Sequence, residues 1–182
     1  MKNCNEAEVN RLLTLVSEQR CKQALRYKHL FGRYCCLRSW EMLKELLDES
    51  MSGLMDEWQY SEYGKPFFNS SSIHSFVPYF SISHCKKGIA VALSDKPIGI
   101  DIEGFRFVDE EMIRRTMNAD EQQHIHSIRD FTRFWTQKEA VLKAIGTGIE
   151  SFEQLQQTLL KYKNVEIETI ENENYIVSIA YE

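Results

Sequence analysis

The sequence predicts an α+β fold, and three observations predict it. The first fifty residues place apolar side chains at helical spacing and contain no proline. Residues 79–103 break into short runs with strand character separated by turn signals. A second helical stretch and a second pair of strand-like runs follow, giving the order helices, strands, helices, strands. That order admits two similar halves, although inspection finds no internal repeat.

Taken in order, Leu30, Phe31, Tyr34, Leu37, Leu43, Leu46 and Leu47 recur every three or four residues and define the N-terminal helical region. Lys22, Arg26, Lys28, Arg33 and Arg38 make it locally basic, and a solvated helix face explains any one of them. The stretch EYGKPFFNSSSIHSFVP holds two of the three prolines and a serine cluster, so residues 57–79 read as loop or short extended pieces. YFSISH and GIAVALS then read as strands joined by the turn CKK. IGIDIE follows the turn signal SDKP, and the three runs predict an antiparallel meander. After Phe107 the chain turns helical. Asp120 is placed to open a short helix, Asp130 to cap a longer one ending near Gly146, and Ser151 with Gln154 to cap another. VEIETI and NYIVSIAYE, separated by polar residues, predict a terminal hairpin.

The totals bound the function. A chain of 182 residues, 43% hydrophobic and 27% charged, makes one globular domain or two small packed halves. A net charge of −5 argues against nucleic-acid or membrane-surface binding, whose footprint is basic. The five cysteines are odd in number and include no C-x-x-C pair, so reduced thiols in a cytoplasmic protein are expected. No apolar run has membrane-spanning length, and the N-terminus lacks a signal-peptide core.

Candidate chemistry starts in PIGIDIEGF. Ile98, Ile100 and Ile102 alternate with Gly99, Asp101 and Glu103, which puts both acids on one strand face. Adjacent carboxylates repel and Asp is a poor strand residue, so the pair needs a counter-charge. A second constellation lies in FTRFWTQKEAVLKAIG. Phe131, Phe134, Trp135, Val141, Leu142 and Ile145 form a helical stripe, and Lys138 sits inside it, where it needs a partner or a route to water. Glu139 and Lys143 lie on the stripe's edge, and alone they read as an ordinary i,i+4 surface pair. If this helix packs across the strand, Asp101, Glu103 and Glu139 become three hard oxygen ligands suited to Mg²⁺, with Lys138 and Lys143 beside them as phosphate donors. That combination describes phosphoryl transfer or diphosphate cleavage. Ser83 and His84 close the SISH strand. Without a triad partner or a G-x-S-x-G motif, they fit anion binding better than nucleophilic catalysis.

YGKP (63–66), FSISH (80–84), PIGIDIE (97–103) and FWTQKEAVLK (134–143) stand in the order and approximate spacing of the 4′-phosphopantetheinyl transferases. The chain resembles that family, and within it the Sfp type, over roughly residues 15–152. The resemblance implies two pseudo-symmetric α+β halves, each a small antiparallel sheet with packed helices, meeting at a cleft. The division expected is 1–96 on the coenzyme A side and 97–182 carrying the metal site. It implies transfer of the 4′-phosphopantetheine arm from coenzyme A to a serine of an apo acyl or peptidyl carrier protein, releasing 3′,5′-ADP. Asp101, Glu103 and Glu139 would hold the metal. Lys138 and Lys143 would contact the diphosphate, Lys65 the adenosine part, and Ser83 with His84 the phosphates. Lys22 and Lys28 are the matches for the family's N-terminal basic residues. Glu121 would help to deprotonate the attacking serine, so that Glu139, Lys143 and Glu121 form the catalytic set. A monomer is expected, since two halves in one chain already build the cleft.

Two departures stand out. The chain is shorter than the family's larger members, and the family's Ser-His-Ser reads Ser83-His84-Cys85. A thiol is the weaker donor, which weakens any contact from that position. Two other readings compete with the transferase: a non-catalytic coenzyme A or carrier-binding module, and an unrelated Mg²⁺-dependent hydrolase of a nucleotide diphosphate. For carrier docking the sequence offers Phe105, Arg106 and Phe107 with Arg114, Arg115 and Met117, although core positions for the apolar ones are equally consistent.

Overall fold

A computed structural model of the chain describes residues 3–69 and 76–182, so the serine-rich part of the 57–79 stretch lies outside the described residues. Helix α1 (Glu6–Leu13) starts where the Asn5 side chain accepts the Glu8 amide, and α2 (Glu18–Leu25) where Ser17 accepts that of Arg20. Both caps satisfy amides that a helix start leaves unpaired. The long α3 (Leu30–Leu46) buries Tyr34, Leu37, Trp40 and Leu43 along one face. Below it Trp40 meets Trp58 and Phe80 at centroid distances of 5.0 and 5.8 Å. The Arg20 guanidinium lies 4.2 Å from the Trp40 ring centroid and donates to the Cys36 carbonyl. Stacking on an aromatic face offsets part of the cost of burying this cation.

A 3₁₀ stretch (Glu49–Asp56) leads into a short hairpin of β1 (Trp58–Tyr60) and β2 (Pro66–Phe68), whose turn uses Gly64 at φ 80°. β3 (Tyr79–His84) and β4 (Ile89–Ser94) form the next hairpin, with Phe80 opposite Leu93 and Ser83 opposite Ala90.

The predicted meander stops there. β5 (Ile98–Gly104) is not laddered to β4 but pairs antiparallel with β7 (Tyr175–Tyr181), which also pairs with β6 (Glu166–Glu171), in the order β5-β7-β6. β5 still lies beside β3. The two are joined by side chains: the amides of Ile100 and Ile102 donate to the hydroxyls of Ser81 (3.0 Å) and Ser83 (3.3 Å). Short strands separated by turns fit a local hairpin as well as a distant pairing, and here the C-terminal strand takes the ladder.

The second helical region comprises α4 (Glu110–Thr116), α5 (Ala119–Gln123), α6 (Ile128–Ile145) and α7 (Phe152–Lys161). Asn118, not Asp120, caps α5, in a reciprocal box with Glu121. Ser127 caps α6, and Asp130 supports that turn by accepting from the Ser127 hydroxyl. Gly146, at φ 84°, ends α6, and Ser151 caps α7. The terminal hairpin stands where the alternation puts it. The fold is α+β, with α6 packed across β5 and β7.

Candidate active site

The face of β5 that carries Gly99, Asp101 and Glu103 packs toward α6, while the three isoleucines pack against Ala90, Ala92 and the side chains of β7. Both faces are therefore covered, and Asp101 is only 3% exposed. Gly99 permits this approach, because a Cβ there would overlap the Ala140 carbonyl oxygen and the Ala144 nitrogen. With the two backbones this close, one helical turn lays Glu139 and Lys143 against Asp101.

Lys143 is the centre of the arrangement. Its Nζ donates to Asp101 Oδ1 at 2.6 Å, Ser83 Oγ at 3.1 Å and the Ile100 carbonyl at 3.1 Å, and lies 3.6 Å from Glu139 Oε2. The Ser83 hydroxyl donates to Asp101 Oδ1 at 2.7 Å. Burial, and then the charge of Asp101, pushes Glu139 up to about 7. Glu103 is raised too, by burial and then by Asp101. Burial and a neighbouring carboxylate both disfavour the charged form of these two glutamates. Asp101 Oδ2 is buried without a partner.

These observations bear on the implied metal. The donors are hard oxygens, and one of them is buried and unpaired, which suits Mg²⁺ in chemistry. Among the described residues no three acidic, histidine or cysteine side chains converge on one point, and the Lys143 ammonium lies within the group.

Lys143 and Glu139 line a cavity of about 310 Å³ with Tyr63, Lys65, Ser81 and Gly148. Lys65 reaches across from the β1–β2 turn, and its Nζ donates to the carbonyls of Ile98 (2.9 Å) and Lys143 (2.6 Å). It meets no carboxylate among these contacts. Burial, helped by the nearby Lys143 charge, lowers it to about 8. His84 lies beside this group. Its ring stacks on Phe31 at 6.3 Å, and packing around it, followed by the Lys143 charge, lowers its pKa.

Several expected residues are placed differently. Ser83 is 7% exposed, and its hydroxyl gives its proton to Asp101 while accepting from Ile102 and Lys143. One donor and two lone pairs are all engaged, so in this arrangement Ser83 orients the site and has nothing left for a phosphate. Lys138 has no exposed surface. Its Nζ donates to Glu121 Oε2 (2.6 Å) and to the carbonyls of Thr116 (3.0 Å) and Leu155 (2.6 Å). Those bonds tie α4, α5 and α7 to α6 and engage all three donors of the ammonium. Glu121, 6% exposed, has one oxygen committed to Lys138 and to its own helix cap, while the other is buried without a hydrogen-bond partner. Lys22 is an exposed partner of Glu18 on α2, at 2.6 Å, and Lys28 is exposed before α3. Neither makes a hydrogen bond or ion pair with the Asp101 group among the described contacts.

Sequence reasoning missed the seam role of Ser81 and the carbonyl contacts of Lys65. The only available sign was two serines on one strand face.

Comparison with known proteins gives a consistent picture. A model of the 4′-phosphopantetheinyl transferase superfamily matches residues 97–180. The 4′-phosphopantetheinyl transferase gsp of Aneurinibacillus migulanus is 28% identical over 148 residues, covering 77% of this chain and 60% of gsp. The 4′-phosphopantetheinyl transferase psf-1 of Bacillus pumilus is 28% identical over 150 residues, 78% of this chain and 63% of psf-1. The transferase AcpT of Salmonella typhi is 31% identical over 130 residues, 66% of this chain and 65% of AcpT. The chain thus spans less than two thirds of the length of these relatives. The superfamily match runs from β5 through α6 to β7, the elements that bring Asp101, Glu139 and Lys143 together, and over that C-terminal part the chain is similar to the 4′-phosphopantetheinyl transferases, its relatives including Sfp of Bacillus subtilis.

Proposed function

We propose that the chain transfers the 4′-phosphopantetheine arm of coenzyme A to a serine of an acyl or peptidyl carrier protein, releasing 3′,5′-ADP. The observation that carries this reading is the Asp101–Lys143–Glu139 group on the wall of the cavity below the Tyr63–Pro66 turn. We read residues 1–96 and 97–182 as two halves flanking that cleft, acting as a monomer in the cytoplasm.

Asp101, Glu103 and Glu139 would hold Mg²⁺, which when bound supplies charge neutralisation on the diphosphate and on the departing 3′,5′-ADP. Lys143 adds a second positive charge at the cavity wall, where the low-dielectric surroundings strengthen it. Ser83 keeps Asp101 in one orientation. Lys65 holds the last turn of α6 and so the backbone of Lys143. His84 stands at the strand end as a phosphate contact. The nucleophile belongs to the carrier, which agrees with the lack of a Ser-His-acid motif in the sequence.

Of the docking surface expected from sequence, Met117 is fully buried and drops out. Phe105 lies under the Arg129 guanidinium at 4.8 Å, and Arg115 over the Phe152 ring at 4.0 Å. Phe107, 92% exposed, together with Arg106 and Arg114, remains as the carrier-facing patch.

The test is incubation with coenzyme A, Mg²⁺ and an apo carrier protein, read by intact-mass spectrometry. A mass gain of one phosphopantetheine on the carrier supports the reading. Coenzyme A binding without modification of any apo acyl or peptidyl carrier would instead make the chain a binding module.

A further inference from the structure

Lys143 carries a second assignment, which rests on the magnesium reading above. Its ammonium is in direct ionic contact with Asp101, at 2.6 Å, and lies 3.6 Å from Glu139. It also takes up the Ser83 hydroxyl and the Ile100 carbonyl, so four oxygens surround one nitrogen. The Asp101 side chain is 4% exposed and that of Lys143 26% exposed, so the carboxylate is fixed while the lysine has a path outward to the cavity. The other Asp101 oxygen is buried without a partner, so the ammonium does not satisfy the carboxylate fully.

We infer that Lys143 is the resident counter-ion of this acidic group in the metal-free protein, and that a divalent cation displaces its ammonium from Asp101 into the cavity. The exchange follows from electrostatics. A divalent ion held by the acidic group would repel a neighbouring ammonium, and the long flexible lysine stem would let that charge leave without moving α6. Displacement turns a lysine that neutralises protein into one free to neutralise a diphosphate. Cation binding then comes before, and promotes, capture of the anionic substrate.

The exchange is tested with Mg²⁺ alone, without coenzyme A. Calorimetric titration compares the wild-type chain with Lys143→Met. If the ammonium leaves the group open about one tenth of the time, removing it tightens Mg²⁺ roughly tenfold, since apparent affinity scales with the competent fraction. Removing a nearby positive charge also favours a cation without any displacement, so a second measurement is needed. In the wild-type protein, the ¹⁵Nζ resonance missing from the Lys143→Met spectrum is followed through the same titration. Its shift, with loss of the protection from solvent exchange that the ion pair gives, is the expected result. A resonance that stays protected at saturating Mg²⁺ overturns the exchange, as does binding by Lys143→Met that is no tighter than wild type. Absence of Mg²⁺ binding by both proteins overturns the magnesium assignment of the proposed function, and the exchange with it. The resonance measurement needs only the wild-type fold, so a Lys143→Met protein that fails to fold does not shield the inference.

Discussion

Helix α6 carries two lysines with opposite fates. Lys138 and Lys143 both pair with a buried carboxylate at 2.6 Å, Glu121 and Asp101 respectively. Lys138 is sealed, with its three donors spent on a carboxylate and two backbone carbonyls of neighbouring helices. Lys143 is bound as tightly but stands at a cavity wall, with a quarter of its side chain exposed. The same ion-pair chemistry thus serves packing on one side of a helix and a site on the other. What distinguishes them is access to solvent, because a pair that reaches water can be exchanged and a sealed one cannot.

The sharpest way to break this contrast is Lys138→Ala. It leaves Glu121 buried without its cation, a change that costs about 3–5 kcal/mol. Urea unfolding should show that loss, whereas the double variant Lys138→Met with Glu121→Leu should recover most of it. If the single variant stays within about 1 kcal/mol of wild type, a surface-pair magnitude, Lys138 is not sealed in solution.

Next comes Asp101→Asn. We expect transfer to fall by at least about 100-fold, equivalent to roughly 2.7 kcal/mol of barrier, in carrier-modification assays. Metal-free stability should change little, because Lys143 can turn to water once its partner is gone. A large stability loss with activity retained would invert the comparison. Ser83→Ala should cost about 1–2 kcal/mol in denaturant unfolding, since it strips an acceptor from the Ile102 amide and a donor from Asp101.

The smallest effect is a pH dependence. Glu139 titrates at about 7 in the folded chain against 4.5 as its ordinary value. A raised carboxyl favours the protonated folded form, so its contribution is complete below pH 4.5 and disappears as pH rises through 7. In EDTA, wild-type stability should decline over that window, and Glu139→Gln should flatten the decline. An unchanged slope in the variant would assign the pH response to other groups.

How much of this was visible in the sequence depends on the range of each contact. The end of α6 at Gly146, the Ser151 cap of α7 and the β3–β4 and β6–β7 hairpins follow from local spacing and capping chemistry, whereas the caps of α5 and α6 fall on Asn118 and Ser127 and not on Asp120 and Asp130. Lys138 stood out as a charge inside an apolar stripe, but its partner Glu121 lies on another helix, and no periodicity links the two. The alternation in β5 predicts the strand but not its partner, since its ladder forms with β7 and not with β4. Gly99 and Asp101 resemble a solvent face, yet glycine is there because α6 comes too close for any side chain. Asp101, Glu139 and Lys143 were legible as a group, since motif order brought them together. That Ser83 and Lys65 spend their polar atoms on protein required coordinates, because hydrogen-bond saturation is a property of three dimensions.

The junction of β3 with β5 has a consequence for exchange of protons with water. Since the Ile100 and Ile102 amides point to serine hydroxyls, the amides of Gly99, Asp101 and Glu103 point the other way, into the ladder with β7. Successive amides of one strand therefore report on two different events. Deuterium enters at residues 100 and 102 when the serine contacts part, and at 99, 101 and 103 only when the β5–β7 ladder itself opens. A single strand works as a two-channel recorder, and a difference between odd and even positions would time the loosening of β3 from β5 against unfolding of the sheet behind it.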